Sequence, residues 1–291
     1  MNASKKAAVF ILLGQSNATG HGIFMKQEDI IQQPLKNVFG LHRQHNQSYD
    51  IRELTWTGYT SHGMNLGETQ DNTYSVANCL AQQWQSAVDA GADLPDLYIV
   101  HISIGAQGVT EKYMWFPDRE KVLLPGTTFE ANISLHPLSV HIFSLLQKSF
   151  QTMGKEFEII GLHWRGGEED GSAERDYLEA NLKPIYLRLF RDFREALQIP
   201  TPIIIHNYVC YDRADFLDPS GKSRKNIYFI NDLFRTLAQE LADVSIFDIT
   251  KAPMYLPDVK GNGIYVEDLV HYTPEVNTWV AKCILEDYQK A

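Results

Sequence analysis

The chain reads as an α/β protein, a five-stranded parallel sheet with helices on both faces. Three observations predict this. Five short apolar runs, at 7–13, 97–104, 157–164, 202–209 and 244–249, have the length and β-branched content of buried strands. Segments with helical spacing of apolar residues lie between them from Thr73 onward. Parallel strands need crossovers, and these intervening helices supply them. With no internal repeat and no linker composition, one domain over 1–291 is expected, with long loop insertions at about 21–72 and 106–134.

The first strand, Ala7 to Leu13, runs into Gly14-Gln15-Ser16-Asn17, which puts a serine at a strand tip. The same quartet is also ordinary turn chemistry, so the serine alone proves nothing. Residues 21–72 are rich in Gly, His, Gln, Asn and Thr without a sustained period, and read as a surface excursion forming one wall of a pocket. Val76, Leu80, Trp84 and Val88 recur every four residues, which predicts a helix over Thr73–Ala90 ended by Gly91. The second strand, Leu97 to Ile104, is followed at once by Gly105.

Residues 106–134 form the second irregular stretch and carry Tyr113, Trp115 and Phe116, whose rings suit either a sugar or the core. A helix over about Pro137–Met153 leads to the third strand, which ends in Arg165-Gly166-Gly167-Glu168-Glu169-Asp170. Apolar spacing predicts a helix over 173–198 that Pro184 should kink or split. Pro202–Val209 is the fourth strand, Asn226–Leu241 a helix and Val244–Ile249 the fifth strand. A Pro- and Gly-rich loop over Ala252–Gly263 precedes Asp268 and His271, and Thr273-Pro274 then reads as an N-cap with proline at the first helical position.

Of 291 residues 44% are hydrophobic, enough for a core, and 26 basic against 36 acidic residues give a net charge of −10. That balance argues against nucleic acid and other polyanions as partners. Cys79, Cys210 and Cys283 are distant, odd in number and outside any CxxC, so free buried thiols are expected. The apolar run after Lys6 is short for a signal peptide and lacks a small-residue cleavage site, and no stretch approaches the roughly 18 apolar residues of a membrane span. A cytoplasmic, soluble protein without membrane contact is the expectation.

A serine nucleophile needs a base and an oxyanion site. Asp268 and His271, three residues apart ahead of a helix, supply an imidazole and its orienting carboxylate. The nucleophile elbow G-x-S-x-G is missing because residue 18 is Ala, so the α/β-hydrolase fold is not indicated. Glu168 and Asp170 are neighbours on one loop, unlike the opposed carboxylates of glycosidases, and read as structural. His101, His163 and His206 sit on successive strands, but no HExxH motif or acidic ligand set accompanies them, and hydrogen-bonded core histidines are expected rather than a metal site.

Gly14-Gln15-Ser16-Asn17, Gly105, Trp164-x-x-Gly167-Glu168-x-Asp170 and Asp268-x-x-His271 occur in an order that resembles the SGNH hydrolase superfamily and, within it, the sialate O-acetylesterase-like branch, carbohydrate esterase family 6. The resemblance implies a flavodoxin-like three-layer α/β/α sandwich and a Ser-His-Asp esterase without metal or cofactor. It makes acetylated sugars, small or oligomeric, the substrates. Ser16, Asp268 and His271 are then the triad, and the Ser16 and Gly105 amides two oxyanion donors.

The branch has glutamine where this chain has Gly166, so either Arg165, Gln107 or a backbone amide of the Arg165-Gly166-Gly167 turn supplies the third donor, or the enzyme is weak. Gln15, Asn17, Gln107, Arg165 and Trp115 are the candidate substrate contacts. Competing readings are a carbohydrate-binding protein with weakened catalysis, and acyl transfer or thioester cleavage on the same triad.

Overall fold

The computed structural model describes residues 6–67, 69–121, 133–208 and 222–290. Its centre is a seven-stranded sheet of β1 (Ala7–Gly14), β2 (Val38–Leu41), β3 (Trp56–Gly58), β4 (Leu97–Ser103), β5 (Phe157–Arg165), β6 (Ile203–His206) and β7 (Val244–Phe247). The strand order is β3-β2-β4-β1-β5-β6-β7. All neighbours are parallel except β2 and β3, so the sheet is mixed and larger than the five parallel strands expected. Both additional strands come from the 21–72 segment. VFGL and WTG each contain a glycine and lie in a segment rich in Gly, His, Gln, Asn and Thr, so pairing, β2 with β4 and β3 with β2, rather than local sequence makes them strands.

Alternation along β1 divides the core. Val9, Ile11 and Leu13 face α4 (Leu135–Thr152), α5 (Arg175–Leu197) and α6 (Lys222–Glu240). Ala8, Phe10 and Leu12 face α3 (Val76–Asp89) and α7 (Pro274–Lys290), which pack on each other. All eight residues of β1 are buried, as a central parallel strand requires. The described residues also include two short helices, α1 (Ser16–Thr19) directly after β1 and α2 (Arg43–Asn46) between β2 and β3.

α5 runs through Pro184 as one helix, so of the kink or split expected there the split does not occur. The proline lies on the exposed side, where water can satisfy the carbonyl that loses its partner, while Leu182, Ile185, Leu189 and Phe193 anchor the buried side. Thr273 caps α7 as expected, its Oγ1 accepting from the Val276 amide at 3.4 Å, with Pro274 first in the helix. In the 106–134 segment residues 122–132 lie outside the described residues, as do Val209 and Cys210. Among the described residues no helix is long and apolar enough to cross a membrane.

Candidate active site

β1 can end where it does only because residue 14 is glycine. Its φ is +143°, and a Cβ there would stand 2.0 Å from the Arg165 carbonyl oxygen. The Gln15 amide donates to that oxygen at 2.9 Å, which brings the exits of β1 and β5 side by side. Ser16 follows at the start of α1 with 6% exposure, where the first backbone amides of a helix have no intrahelical partner.

The loop bearing His271 is held to this turn by one side chain. Asn17 Nδ2 donates to the Val270 carbonyl at 3.1 Å, and Asn17 Oδ1 accepts from the Tyr272 amide at 3.0 Å. The residue after the serine thus grips both neighbours of the histidine. Among the described residues no hydrogen bond joins the Ser16 hydroxyl to the His271 ring; the two share the rim through Asn17.

Within the loop, His271 Nδ1 donates to Asp268 Oδ2 at 2.5 Å. Asp268 Oδ1 accepts from the Val270 and His271 amides at 2.8 and 2.9 Å, an Asx-type turn closed by Leu269 in the left-handed region at φ 61°. Partial burial pushes the Asp268 carboxyl upward, but the two amides and the imidazole outweigh it and hold it below the usual carboxylate range. The carboxylate therefore stays charged beside the ring. His21, which the sequence reading missed, also belongs here: its amide donates to the Ser16 carbonyl at 2.9 Å and its ring centroid is 5.6 Å from that of His271. A histidine five residues after a serine carries no spacing signal, so only the fold could find it.

Most of the other expected substrate contacts are bonded into the framework. Gln15 is 3% exposed, and its Oε1 accepts from the Gly167 and Glu169 amides at 3.3 Å each. Asn17 is 4% exposed, and besides its two loop bonds it donates to Glu168 Oε1 at 3.0 Å. Trp115 is fully buried, donates to the Gly14 carbonyl at 3.0 Å and meets Trp164 edge-on at 5.0 Å, so it is a core residue and not a sugar platform. Arg165 is buried as well; Nη1 donates to Asn277 Oδ1 at 2.8 Å, and the guanidinium lies 5.0 Å over the Tyr272 ring. It cannot reach an external substrate from there.

Gly166 does not present a side-chain donor, and the structure gives the reason. A Cβ at 166 would stand 2.9 Å from the Trp164 ring, whose Nε1 donates to the Gly166 carbonyl at 2.8 Å. The Tyr208 hydroxyl donates to the same carbonyl. Of the alternatives, the Gly167 amide is taken by Gln15. Gln107 turns Oε1 onto the Met114 amide at 3.0 Å, so its –NH2 points elsewhere, without a partner among the described residues. Gln107 and Gly105 sit on the loop after β4, beside Ala106 at φ 55°.

The two loop carboxylates are structural, but not alike. Asp170 is fully buried and accepts from the Val109 and Thr110 amides at 2.9 and 3.1 Å, tying the β4 loop to the β5 loop. Burial pushes its carboxyl up to about 7. Glu168 has only Asn17 on Oε1, its Oε2 is buried without a partner among the described residues, and burial raises it to about 7 also. The strand histidines are hydrogen-bonded: His101 Nε2 with Ser103 Oγ at 2.8 Å, and His163 Nδ1 with His206 Nε2 at 2.9 Å.

No family model matches the chain, and no curated protein matches it in sequence. Among solved structures, NanS is similar over the full length of both chains, with a TM-score of 0.62 at 16% identity. A carbohydrate acetylesterase from Xanthomonas citri is similar over 96% of this chain and 54% of its own, with a TM-score of 0.47 at 10% identity. A family two carbohydrate esterase from Clostridium thermocellum, solved with cellohexaose, is similar over 100% of this chain and 66% of its own, with a TM-score of 0.43 at 12% identity. At these identities the likeness is one of fold, and the NanS superposition supports it: this chain shares the fold of NanS.

Proposed function

We propose that the chain is a serine esterase of the SGNH type that removes acetyl or similar short acyl groups from a carbohydrate. Ser16 attacks the ester carbonyl, and His271 takes its proton and passes it to the departing sugar hydroxyl. Asp268 fixes the imidazole and stabilises its charged form. The Ser16 and Gly105 amides and the Gln107 –NH2 receive the oxyanion of the tetrahedral intermediate, and water then releases the acid from the acyl-enzyme. The carbohydrate is proposed from the resemblance of the four sequence blocks.

The observation that supports this reading best is the double grip of Asn17 on Val270 and Tyr272, which ties the loop of the carboxylate-bound His271 to the turn that carries Ser16. Catalytic hydrogen bonds of the serine–histidine kind commonly tighten only as substrate binds. The test is hydrolysis of aryl acetates and of acetylated sugars by wild type and by Ser16→Ala. Turnover by wild type and its loss in the variant are expected; equal rates in the two would sink the proposal.

A second reading has its own observation. The Trp164 ring occupies the place a side chain at 166 would need, so the donor that the resembled branch has there is missing. A carbohydrate-binding protein with weakened turnover would then show sugar binding by calorimetry without an acyl-enzyme burst.

A further inference from the structure

Between β5, β6, β7 and the C-terminal half of α7 lies a cavity of about 400 Å³ that shares no lining residue with the Ser16 rim. Ile160, Ile204, Phe247, Ile284 and Tyr288 supply its apolar walls, and Ser245 with the charged Glu158 and Asp287 its polar ones. His163 lines the cavity although it is 96% buried, being 4% exposed. Its Nδ1 is engaged by His206, whose own Nδ1 is sealed in without a partner among the described residues. His163 Nε2 likewise has no hydrogen-bond partner among the described residues, but unlike His206 Nδ1 it is not sealed off.

The backbone keeps space over that nitrogen. β5 slips register against β1 between Val9 and Phe10, which pair with Ile159 and Gly161, so Ile160 is the extra residue of a bulge. At Gly161 a Cβ would stand 2.9 Å from His163 Nε2 and 2.9 Å from Ile204 Cδ1, filling the gap above the ring. Bulges and strand glycines recur where a ligand must approach closely.

We propose that this cavity is a second binding site, for a small aromatic molecule with one hydroxyl group and no negative charge. The ring lies against Ile204, Phe247 and Ile284, and the hydroxyl bonds His163 Nε2. A hydroxyl fits whichever way the proton sits in the His163–His206 pair, because it can donate to a bare nitrogen or accept from a protonated one. Glu158 and Asp287 in the lining disfavour a carboxylate ligand. A volume of this size falls within the roughly 300–1,000 Å³ of small-molecule pockets.

The test is calorimetric titration of the full chain with phenol, toluene and benzoate. Saturable phenol binding is expected, with toluene and benzoate weaker by at least about tenfold, the value of one hydrogen bond to an otherwise unpaired buried group. Ile204→Trp, which fills the cavity, should abolish phenol binding, and His163→Phe should reduce phenol to the level of toluene. Should His163→Phe fail to fold, the Ile204 variant decides. No saturable phenol binding by wild type, phenol and toluene binding alike, or phenol binding that survives Ile204→Trp would each overturn the proposal.

Discussion

Asn17 carries three hydrogen bonds reaching two loops, and each bears on where the His271 ring sits. Removing them leaves Ser16 and His271 in the chain but loosens the tie between the turn and the loop that carry them. On the proposed reading, Asn17→Ala lowers kcat on the order of 100-fold with little change in KM, since small misplacements of catalytic groups cost that much; steady-state kinetics on an aryl acetate separate the two constants. Gln107→Ala is expected to cost a similar factor in kcat, the effect of deleting one oxyanion donor, and an unchanged kcat would assign the donor elsewhere. Glu168 gives a pH signature. Its carboxyl is raised from 4.5 to about 7, so the fold favours the protonated form. That stabilisation is complete below the unfolded value and is lost as the pH rises towards 7, because the unfolded chain releases its proton first. Denaturant unfolding between pH 4.5 and 7 should therefore show wild type losing stability relative to Glu168→Gln as the pH rises.

At the scale of elements, two positions decide whether the strands and helices fit. Gly14→Ala would put a Cβ 2.0 Å from the Arg165 carbonyl oxygen and would force apart the ends of β1 and β5, which pair along their whole length. The expected loss is about 3 kcal/mol or more by urea unfolding, the range of severe backbone strain. Pro184 works in the opposite direction. It sits inside a 23-residue helix and withholds one backbone donor, so Pro184→Ala should raise stability by about 1 kcal/mol, the helix gain being offset in part by the freer unfolded chain. The same comparison explains what local pattern could express. β1 and β4 are long runs of buried residues and β5 ends in one, so these strands are readable, whereas β2 and β3 owe their state to neighbours. Pro184 looked like a break because propensity ignores the packing of Leu182, Ile185 and Leu189 around it.

Over the whole molecule, a net charge of −10 sets the long-range field that a substrate meets. Arg165, at the end of β5, is buried and bonded to Asn277, so it cannot pair directly with an incoming anion. Neutral acetylated sugars should therefore show lower KM than acidic ones, and the KM of an acidic sugar should fall as salt is raised; a KM for the acidic sugar that is lower and independent of salt would contradict this.

The amino-acid sequence alone determined the α/β class, the strands β1, β4, β5, β6 and β7 and the spacing of Asp268 and His271, because strand and helix periods and a three-residue separation are local properties of the chain. Tertiary structure alone decided what Gln15, Asn17, Trp115 and Arg165 do, and it brought His21 to the His271 ring. Read in isolation, a buried amide or guanidinium looks like a ligand contact. Its partners here lie as many as 255 residues away, and a buried polar group must find such partners, so it bonds the framework before it can meet a substrate.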